Sequence, residues 1–125
     1  MSHALVLYGT SEGQTAKIAH EMTARLTAAG VDADVIEAGT ADPKPAHYAG
    51  IIVAASVHAG GYQKAVRNWI RTHGAECGAK PTAFVSVCLG IRSTQPKERE
   101  QATAFPRQFL DFEGWHPQLV KVVAK

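Results

Sequence analysis

The sequence predicts a three-layer α/β sandwich built on a parallel sheet of five strands. Three short apolar runs, at residues 3–8, 50–55 and 82–89, lack polar alternation. Such runs are typical of central parallel strands that helices cover on both faces. Helical patterns lie between the runs, and this alternation favours right-handed crossovers onto one sheet.

Two further strands complete the predicted sheet. Residues 31–36 alternate between apolar and polar side chains over five positions, which predicts a strand with one face partly wet, near a sheet edge. Residues 119–124 follow the last helical pattern and supply the fifth strand.

Three helices are predicted from apolar residues that recur every three or four positions. They span residues 15–29, 62–73 and 95–112. Gly30 follows the first helix, where a C-terminal glycine belongs. The second helix places Trp69 on its apolar side and Arg67 on its polar side. The third contains Pro106, which is expected to kink or split it.

Length and composition indicate a single domain over residues 1–125. Apolar residues make up 46% of the chain and charged residues 19%, which argues against disorder. The net charge of +2 indicates no particular partner and gives no reason to expect nucleic-acid binding. No apolar run approaches the roughly 18 residues of a membrane-spanning helix, and the start Met-Ser-His does not resemble a signal peptide. We therefore expect a cytoplasmic protein.

The cysteines and histidines predict neither a disulfide nor a metal site. Cys77 and Cys88 do not form a Cys-x-x-Cys pair, so two reduced thiols are expected. The six histidines are scattered, and none pairs with a cysteine or another histidine at zinc-site spacing.

The turn between the first strand and the first helix, YGTSEGQTAKIA at residues 8–19, excludes two nucleotide motifs. A P-loop needs four residues between its glycines and then a lysine, but three residues separate Gly9 from Gly13, and Gln14 follows. The dinucleotide fingerprint Gly-x-Gly-x-x-Gly is also absent. A nucleoside triphosphate would therefore lack its usual cation here.

The groups that remain in this turn predict a site for a single phosphate. They are amides at a helix N-terminus and the hydroxyls of Thr10, Ser11 and Thr15, which can bind a phosphate monoester without a counter-cation. The alternative is an ordinary capped helix start, because capping and phosphate binding use the same amides.

Without the dinucleotide fingerprint, the doubly wound strand order 2-1-3-4-5 is favoured. In that order the first and third strands are neighbours at the point where the winding direction reverses, and ligands bind against the loops that leave them. These loops are residues 9–15 and 56–62. We therefore expect a binding site between them.

The same turn carries a resemblance to a known family. Residues 10–15, TSEGQT, match the Thr/Ser-x-x-Gly-x-Thr loop with which flavodoxins bind the 5′-phosphate of FMN. The stretches AASVHAGGYQKAVRNWI, PTAFVSVCLGIRS and FEGWHP extend the likeness over nearly the whole chain. Together they resemble the flavodoxin-type, quinone-linked protoporphyrinogen dehydrogenases of bacterial haem synthesis. The resemblance implies the flavodoxin-like order 2-1-3-4-5 and an FMN cofactor.

The resemblance also implies which residues bind FMN. The phosphate would lie on the first turn, and the isoalloxazine ring would lie between the loops after the third and fourth strands. The implied cofactor-binding residues are Thr10, Ser11, Glu12, Gly13, Gln14, Thr15, Ser56, Val57, His58, Ala59, Gly60, Gly61, Tyr62, Val87, Cys88, Leu89, Gly90 and Arg92.

The roles of three of these residues stay open between a functional and a structural reading. His58 is the candidate catalytic residue, because histidine changes charge near neutral pH, but a solvated loop position is equally compatible. Tyr62 is either a ring contact or a packing residue at a helix start. Cys88 reads first as a small buried strand residue, with a flavin contact as the alternative.

Three basic residues flank the expected mouth of the site. Arg92, Lys97 and Arg99 are interpreted first as a solvated charged face. The alternative is that they attract an acidic substrate, such as the propionates of a porphyrin, or an anionic membrane surface.

The resemblance implies an FMN-dependent oxidoreductase that passes electrons from protoporphyrinogen IX to a quinone. It also suggests peripheral contact with the inner face of the cytoplasmic membrane. One alternative is a flavodoxin-type electron carrier, which the net charge of +2 disfavours because such carriers are typically strongly acidic. The other is a flavodoxin-fold module that no longer binds flavin.

Two features depart from the family pattern. Position 59 is alanine and residues 88–91 contain no aromatic side chain, although flavin sites of this kind usually place an aromatic ring beside the isoalloxazine. The family also continues past the fifth strand with residues that include a last helix, whereas this sequence stops at Lys125. A chain that lacks that helix is expected to leave part of one sheet face uncovered.

Overall fold

A computed structural model describes residues 3–10, 13–57, 61–88 and 94–123. The strands are β1 (His3–Gly9), β2 (Asp32–Glu37), β3 (Gly50–Ser56), β4 (Thr82–Val87) and β5 (Leu119–Val123). They form one sheet in the order β2-β1-β3-β4-β5, and each pair of neighbours is parallel. The predicted order is confirmed, and β2 lies at an edge as its alternating sequence indicates.

The helices agree with the predicted segments to within two residues at each end. They are α1 (Gln14–Ala28), α2 (Lys64–His73) and α3 (Pro96–Glu113), and short 3₁₀ turns occupy Pro45–His47 and Gly74–Cys77. Among the described residues, no helix is long and apolar enough to cross a membrane.

Pro106 does not split the third helix, although a split was one of the two outcomes expected of it. α3 continues through Pro106 as a single element. The missing N–H removes one helical hydrogen bond, the bond to the Ala102 carbonyl oxygen. Pro106 is fully buried, and Ala102, four residues earlier, is also buried, so burial of this helix face offsets the lost bond.

The larger core lies between the sheet and helices α2 and α3. Phe84 of β4 is its largest fully buried side chain. Val66 and Ile70 of α2 and Leu110 of α3 belong to the same cluster of buried residues. Because these apolar side chains lie on one face of each helix, their spacing in the sequence was enough to predict the helices.

The opposite sheet face is covered less completely. A smaller apolar cluster lies on this face. Among the described residues, the helical side chains that pack against it are Ile18 and Met22 of α1. A groove of about 540 Å³ lies between α1 and β5, where Leu119 is 57% exposed. This face of the sheet is therefore partly open at the groove.

A buried histidine ties the loop after β2 to the end of α2. His73 is 3% exposed, and its Nε2 lies 2.7 Å from Asp42 Oδ1 while its Nδ1 lies 2.5 Å from Glu76 Oε2. Burial by itself lowers the pKa of His73, but the hydrogen bonds to Glu76 and Asp42 outweigh it and raise the pKa above 6.5. Both ring nitrogens then donate, so the charged imidazolium is the form that fits.

Replacing His73 by glutamine should remove a pH-dependent part of the stability. Because the pKa of His73 is raised in the folded protein, its contribution is complete below about pH 6.5 and disappears as the pH rises through the folded-state value. Both carboxylate partners are largely exposed to solvent, so we expect about 1 kcal/mol.

Urea unfolding from about pH 5.5 to about pH 9 measures this effect. The free energy of unfolding of the wild type should fall over this range by more than that of His73→Gln. The exposed His47, replaced by glutamine, is the matched control and should retain the wild-type pH dependence. Identical pH profiles for wild type and His73→Gln would contradict a charged His73.

Candidate functional site

The carboxyl ends of β1, β3 and β4 lie side by side at one edge of the sheet. Gly9, which ends β1, is paired with Ala55, and Ser56, which ends β3, is paired with Val87. After β1 the chain enters α1 on one face, and after β3 it enters α2 on the other. The winding direction therefore reverses between β1 and β3, where open α/β sheets bind their ligands.

The first turn of α1 begins at Gly13 without a side-chain cap among the described residues. The φ angle of Gly13 is 86°, in the left-handed region that favours glycine. Thr10 Oγ1 accepts a hydrogen bond of 2.8 Å from the Gly13 N–H, and the first helical bond runs from the Lys17 N–H to the Gly13 carbonyl. The amides of residues 14–16 have no partner within the helix, so this end can bind an acceptor.

Thr15 carries an unsatisfied polar atom at this helix end. The residue is fully buried, and its Oγ1 has no hydrogen-bond partner in the part of the chain that the structure describes. A buried polar group without a partner costs about 1–3 kcal/mol. An anion at the N-terminus of α1 would give this hydroxyl and the neighbouring amides a partner at once, and the helix dipole favours negative charge there.

Tyr62 is placed as a packing residue rather than as a wall of an open site. It is 5% exposed, and its ring lies 5.2 Å from Phe84 and 4.7 Å from Phe109, measured between centroids. Its hydroxyl is 2.8 Å from Ser86 Oγ. Burial raises the pKa of Tyr62 far above its usual value, so the phenol stays neutral. Of the two roles left open by the sequence, its side chain has the packing one.

Gln63 is a site residue that the sequence reasoning missed. Its side-chain amide bonds to both the backbone N–H and the Oγ of Ser56. The sequence places a polar residue before α2, but nothing in the pattern shows that its side chain reaches back to the end of β3.

A cleft of about 450 Å³ opens beside the ends of β3 and β4. Val57 and Cys88, which follow these strands, form one wall. α3 forms the other wall through Glu98, Gln101, Ala102, Ala104, Phe105 and Gln108. β4 ends at Val87, so Cys88 is a half-buried cleft residue and not a strand residue.

The structure describes some of the remaining residues of the predicted site and its mouth, and does not describe others. Val87 is fully buried within β4, and Gly61 is half-buried with open space where a Cβ would lie. Lys97 and Arg99 are exposed in the first turn of α3. Eight predicted residues lie outside the described part of the chain: Ser11, Glu12, His58, Ala59, Gly60, Leu89, Gly90 and Arg92.

The strand order and the uncapped glycine turn define a doubly wound protein of the flavodoxin type. A family model described as a flavodoxin domain matches residues 5–124. The chain belongs to this flavodoxin family.

Two relatives carry the same enzyme name. The chain is 31% identical over 121 residues to the protoporphyrinogen IX dehydrogenase (quinone) of Escherichia coli K12, covering 96% of this chain and 66% of the relative. It is 32% identical over 122 residues to the protein of that name from Leishmania major, covering 96% of this chain and 52% of the relative. The chain thus spans about two thirds of one relative and about half of the other.

Solved flavodoxins share the fold at low identity. A flavodoxin variant from Fusobacterium nucleatum bound to flavin mononucleotide aligns over 98% of this chain and 68% of its own, with a TM-score of 0.64 and 16% identity. A short-chain flavodoxin associated with a bacterial microcompartment aligns over 98% and 84%, with a TM-score of 0.71 and 17% identity. These likenesses support the fold.

Replacing Thr15 by valine should stabilise the ligand-free protein. Valine has nearly the same shape but no hydroxyl, so a buried unsatisfied atom disappears, and we expect the free energy of unfolding to rise by about 1 kcal/mol. Thr82→Val is the matched control, because the Thr82 hydroxyl accepts a bond of 3.1 Å from the Gln118 N–H.

Urea unfolding of both variants at equal protein concentration makes the comparison. Thr82→Val should lower the stability where Thr15→Val raises it. A loss of stability in Thr15→Val comparable to that in Thr82→Val would mean that the Thr15 hydroxyl has a partner within the protein.

Proposed function

We propose that this chain binds FMN and catalyses an FMN-dependent oxidation. The observation that carries the proposal is the buried, unpaired hydroxyl of Thr15 beside the uncapped amides of α1. Membership of the flavodoxin family supports it, as does the name of the relatives that match over nearly all of this chain.

The phosphate of FMN would occupy the N-terminus of α1. The Thr15 hydroxyl would donate to one phosphate oxygen, and the Thr10 hydroxyl can donate while its oxygen still accepts from the Gly13 N–H. The Ser11 hydroxyl would donate to the phosphate as well, and Glu12 and Gln14 would contribute mainly through their backbone amides. Charge-assisted bonds of this kind are among the stronger ones, so the turn would provide most of the specificity for a phosphate.

The isoalloxazine ring would lie between the loops that follow β3 and β4. When bound, FMN supplies the electron transfer at this ring, and the protein supplies its orientation. Tyr62 would contribute through its backbone, because its side chain lies in the core. The proposed ring contacts are Ser56, Val57, His58, Ala59, Gly60, Gly61 and Tyr62 on one side, and Val87, Cys88, Leu89, Gly90 and Arg92 on the other.

The proposed reaction takes electrons from protoporphyrinogen IX and passes them to a quinone, as part of haem synthesis. This substrate pair is the one in the name of the relatives. A porphyrinogen is large and would have to react at an exposed edge of the ring. The open, mostly apolar cleft between Cys88 and Phe105 would give a porphyrinogen access to such an edge. His58 is the proposed proton acceptor.

The quinone acceptor suggests contact with the inner face of the cytoplasmic membrane. α3 carries the exposed basic residues Lys97, Arg99 and Arg107, and the exposed acids Glu98 and Glu100 alternate with the first two. Basic side chains near an anionic surface contribute about 1 kcal/mol each, and acidic ones oppose them. The proposed peripheral contact therefore assigns no particular face of the protein to the lipid.

Thr15→Val should weaken binding of FMN and leave binding of riboflavin unchanged. Riboflavin lacks the phosphate, so a hydroxyl that serves the phosphate affects only FMN. Loss of one charge-assisted hydrogen bond, about 1.5–3 kcal/mol, corresponds to a rise of at least tenfold in the Kd. Flavin fluorescence titration measures both ligands.

Thr27→Val is the control for this titration. Thr27 is exposed on the same helix, and its hydroxyl bonds to the Thr23 carbonyl oxygen. It should bind FMN like the wild type. Absence of FMN binding by the wild type at concentrations up to about 100 μM, equivalent to roughly 5.5 kcal/mol, would refute the proposal and favour a flavodoxin-fold module without flavin.

A rapid-mixing experiment tests the acceptor separately. FMN-loaded protein, reduced by light with EDTA as the electron donor, should be reoxidised by a short-chain ubiquinone without oxygen, with a rate that saturates as the quinone concentration increases. Reoxidation only by a protein redox partner would instead identify an electron carrier.

A further inference from the structure

One face of α3 brings polar side chains to the cleft beside the ends of β3 and β4. Glu98, Gln101, Phe105 and Gln108 belong to the wall of this cleft and recur at steps of three or four residues. Residues at this spacing lie in one row along a helix, and this row extends over about 15 Å. Its three polar side chains are exposed to solvent, so a ligand in the cleft can reach them.

Glu98 is the acidic member of this row. It is the third residue of α3, where a glutamate often turns back to bond the backbone N–H of the N-cap residue, here Gln95. Within the ranges that the structure describes, the carboxylate of Glu98 forms neither that bond nor an ion pair. Its two oxygens are therefore available to a ligand.

The described residues that line the cleft include no basic side chain. The two arginines of α3, Arg99 and Arg107, line a separate pocket of about 410 Å³ together with Glu100. The cleft wall thus combines apolar surface, at Val57 and Phe105, with hydrogen-bond acceptors, and these residues offer no counter-ion to a carboxylate. An apolar ring system that carries N–H donors matches this wall.

Protoporphyrinogen IX, the substrate in the proposed function, has this character at its centre. All of its pyrrole nitrogens carry hydrogen, so the macrocycle has N–H donors and no acceptor nitrogen with which to pair them. In the oxidised porphyrin, half of the nitrogens have lost their hydrogen and accept from the others inside the ring. Both molecules carry the same propionates at the periphery. An acceptor in the cleft would therefore distinguish the two by their centres alone.

We propose that Glu98 accepts hydrogen bonds from the pyrrole N–H groups of the substrate and thereby makes the cleft selective for porphyrinogen over porphyrin. This inference rests on the proposed function and specifies how its substrate is bound. An ionised carboxylate only accepts hydrogen bonds, and bonds to a charged acceptor are among the stronger ones. The porphyrin product, whose N–H groups are paired within the ring, would gain no such bond and would leave the cleft more readily.

Equilibrium dialysis without oxygen compares the two ligands. FMN-loaded protein, reduced beforehand by light with EDTA to prevent turnover, should bind protoporphyrinogen IX more tightly than protoporphyrin IX. Glu98→Ala should lower this preference at least fivefold, because a charge-assisted bond is lost for one ligand only. Glu98→Gln should give an intermediate preference, since its amide oxygen accepts without the charge. Repulsion between Glu98 and the propionates acts on both ligands and cancels in the ratio of their Kd values.

Glu100→Ala is the matched control. Glu100 is an exposed glutamate in the same turn of α3, but it lines the separate pocket and not the cleft. It should retain the wild-type preference. The proposal is overturned if the wild type binds both ligands equally, if Glu98→Ala keeps the wild-type preference, or if Glu100→Ala lowers the preference as much as Glu98→Ala does.

Two further titrations separate a failure of this inference from a failure of the proposed function. A wild type that binds FMN but neither tetrapyrrole at concentrations up to about 100 μM would refute the role of Glu98 and leave FMN binding intact. A wild type that does not bind FMN would refute the proposed function. Dialysis of the flavin-free protein would then decide the role of Glu98, with loss of the preference in Glu98→Ala as the supporting result.

Discussion

Parallel pairing between β1 and β3 is the constraint on which the rest of the molecule depends. The helix that follows β1 and the helix that follows β3 pack on opposite faces of the sheet. α1 and α2 therefore diverge, and a space opens between their first turns at the carboxyl ends of the two strands. Close packing there requires Gly9, because a Cβ would lie 2.5 Å from Val66 Cγ2. The core on one face and the candidate site at this edge therefore share one packing requirement.

The buried polar groups around that edge differ in whether they have a hydrogen-bond partner. Gln63 satisfies the end of β3 at Ser56, and the Tyr62 hydroxyl is paired with Ser86. The Thr15 hydroxyl, equally buried, has no partner among the described residues. Among the described residues Arg67 Nε is also buried without a partner, so what favours a ligand at Thr15 is its place beside the free amides of a helix N-terminus, where an anion is stabilised.

The sequence patterns predicted the strands, their order and the helix segments, since these depend on local periodicity and on a small set of allowed connections. The split that was one of the two outcomes expected at Pro106 does not occur, because the proline rule describes an isolated helix and here Pro106 is buried in the folded chain. Tyr62 and Cys88 stayed ambiguous because a tyrosine before a helix and a cysteine after a strand have the same sequence pattern whether they pack or bind.

By itself the sequence determined the doubly wound sheet and the position of the glycine turn before α1, because apolar periodicity and glycine spacing act over a few residues. Only the tertiary structure decided which side chains meet across the chain. The pairing of His73 with Asp42 spans 31 positions, and the contact between Gln63 and Gly9 joins two different crossovers. Such contacts depend on how the elements pack against one another, and the local sequence pattern does not predict that packing.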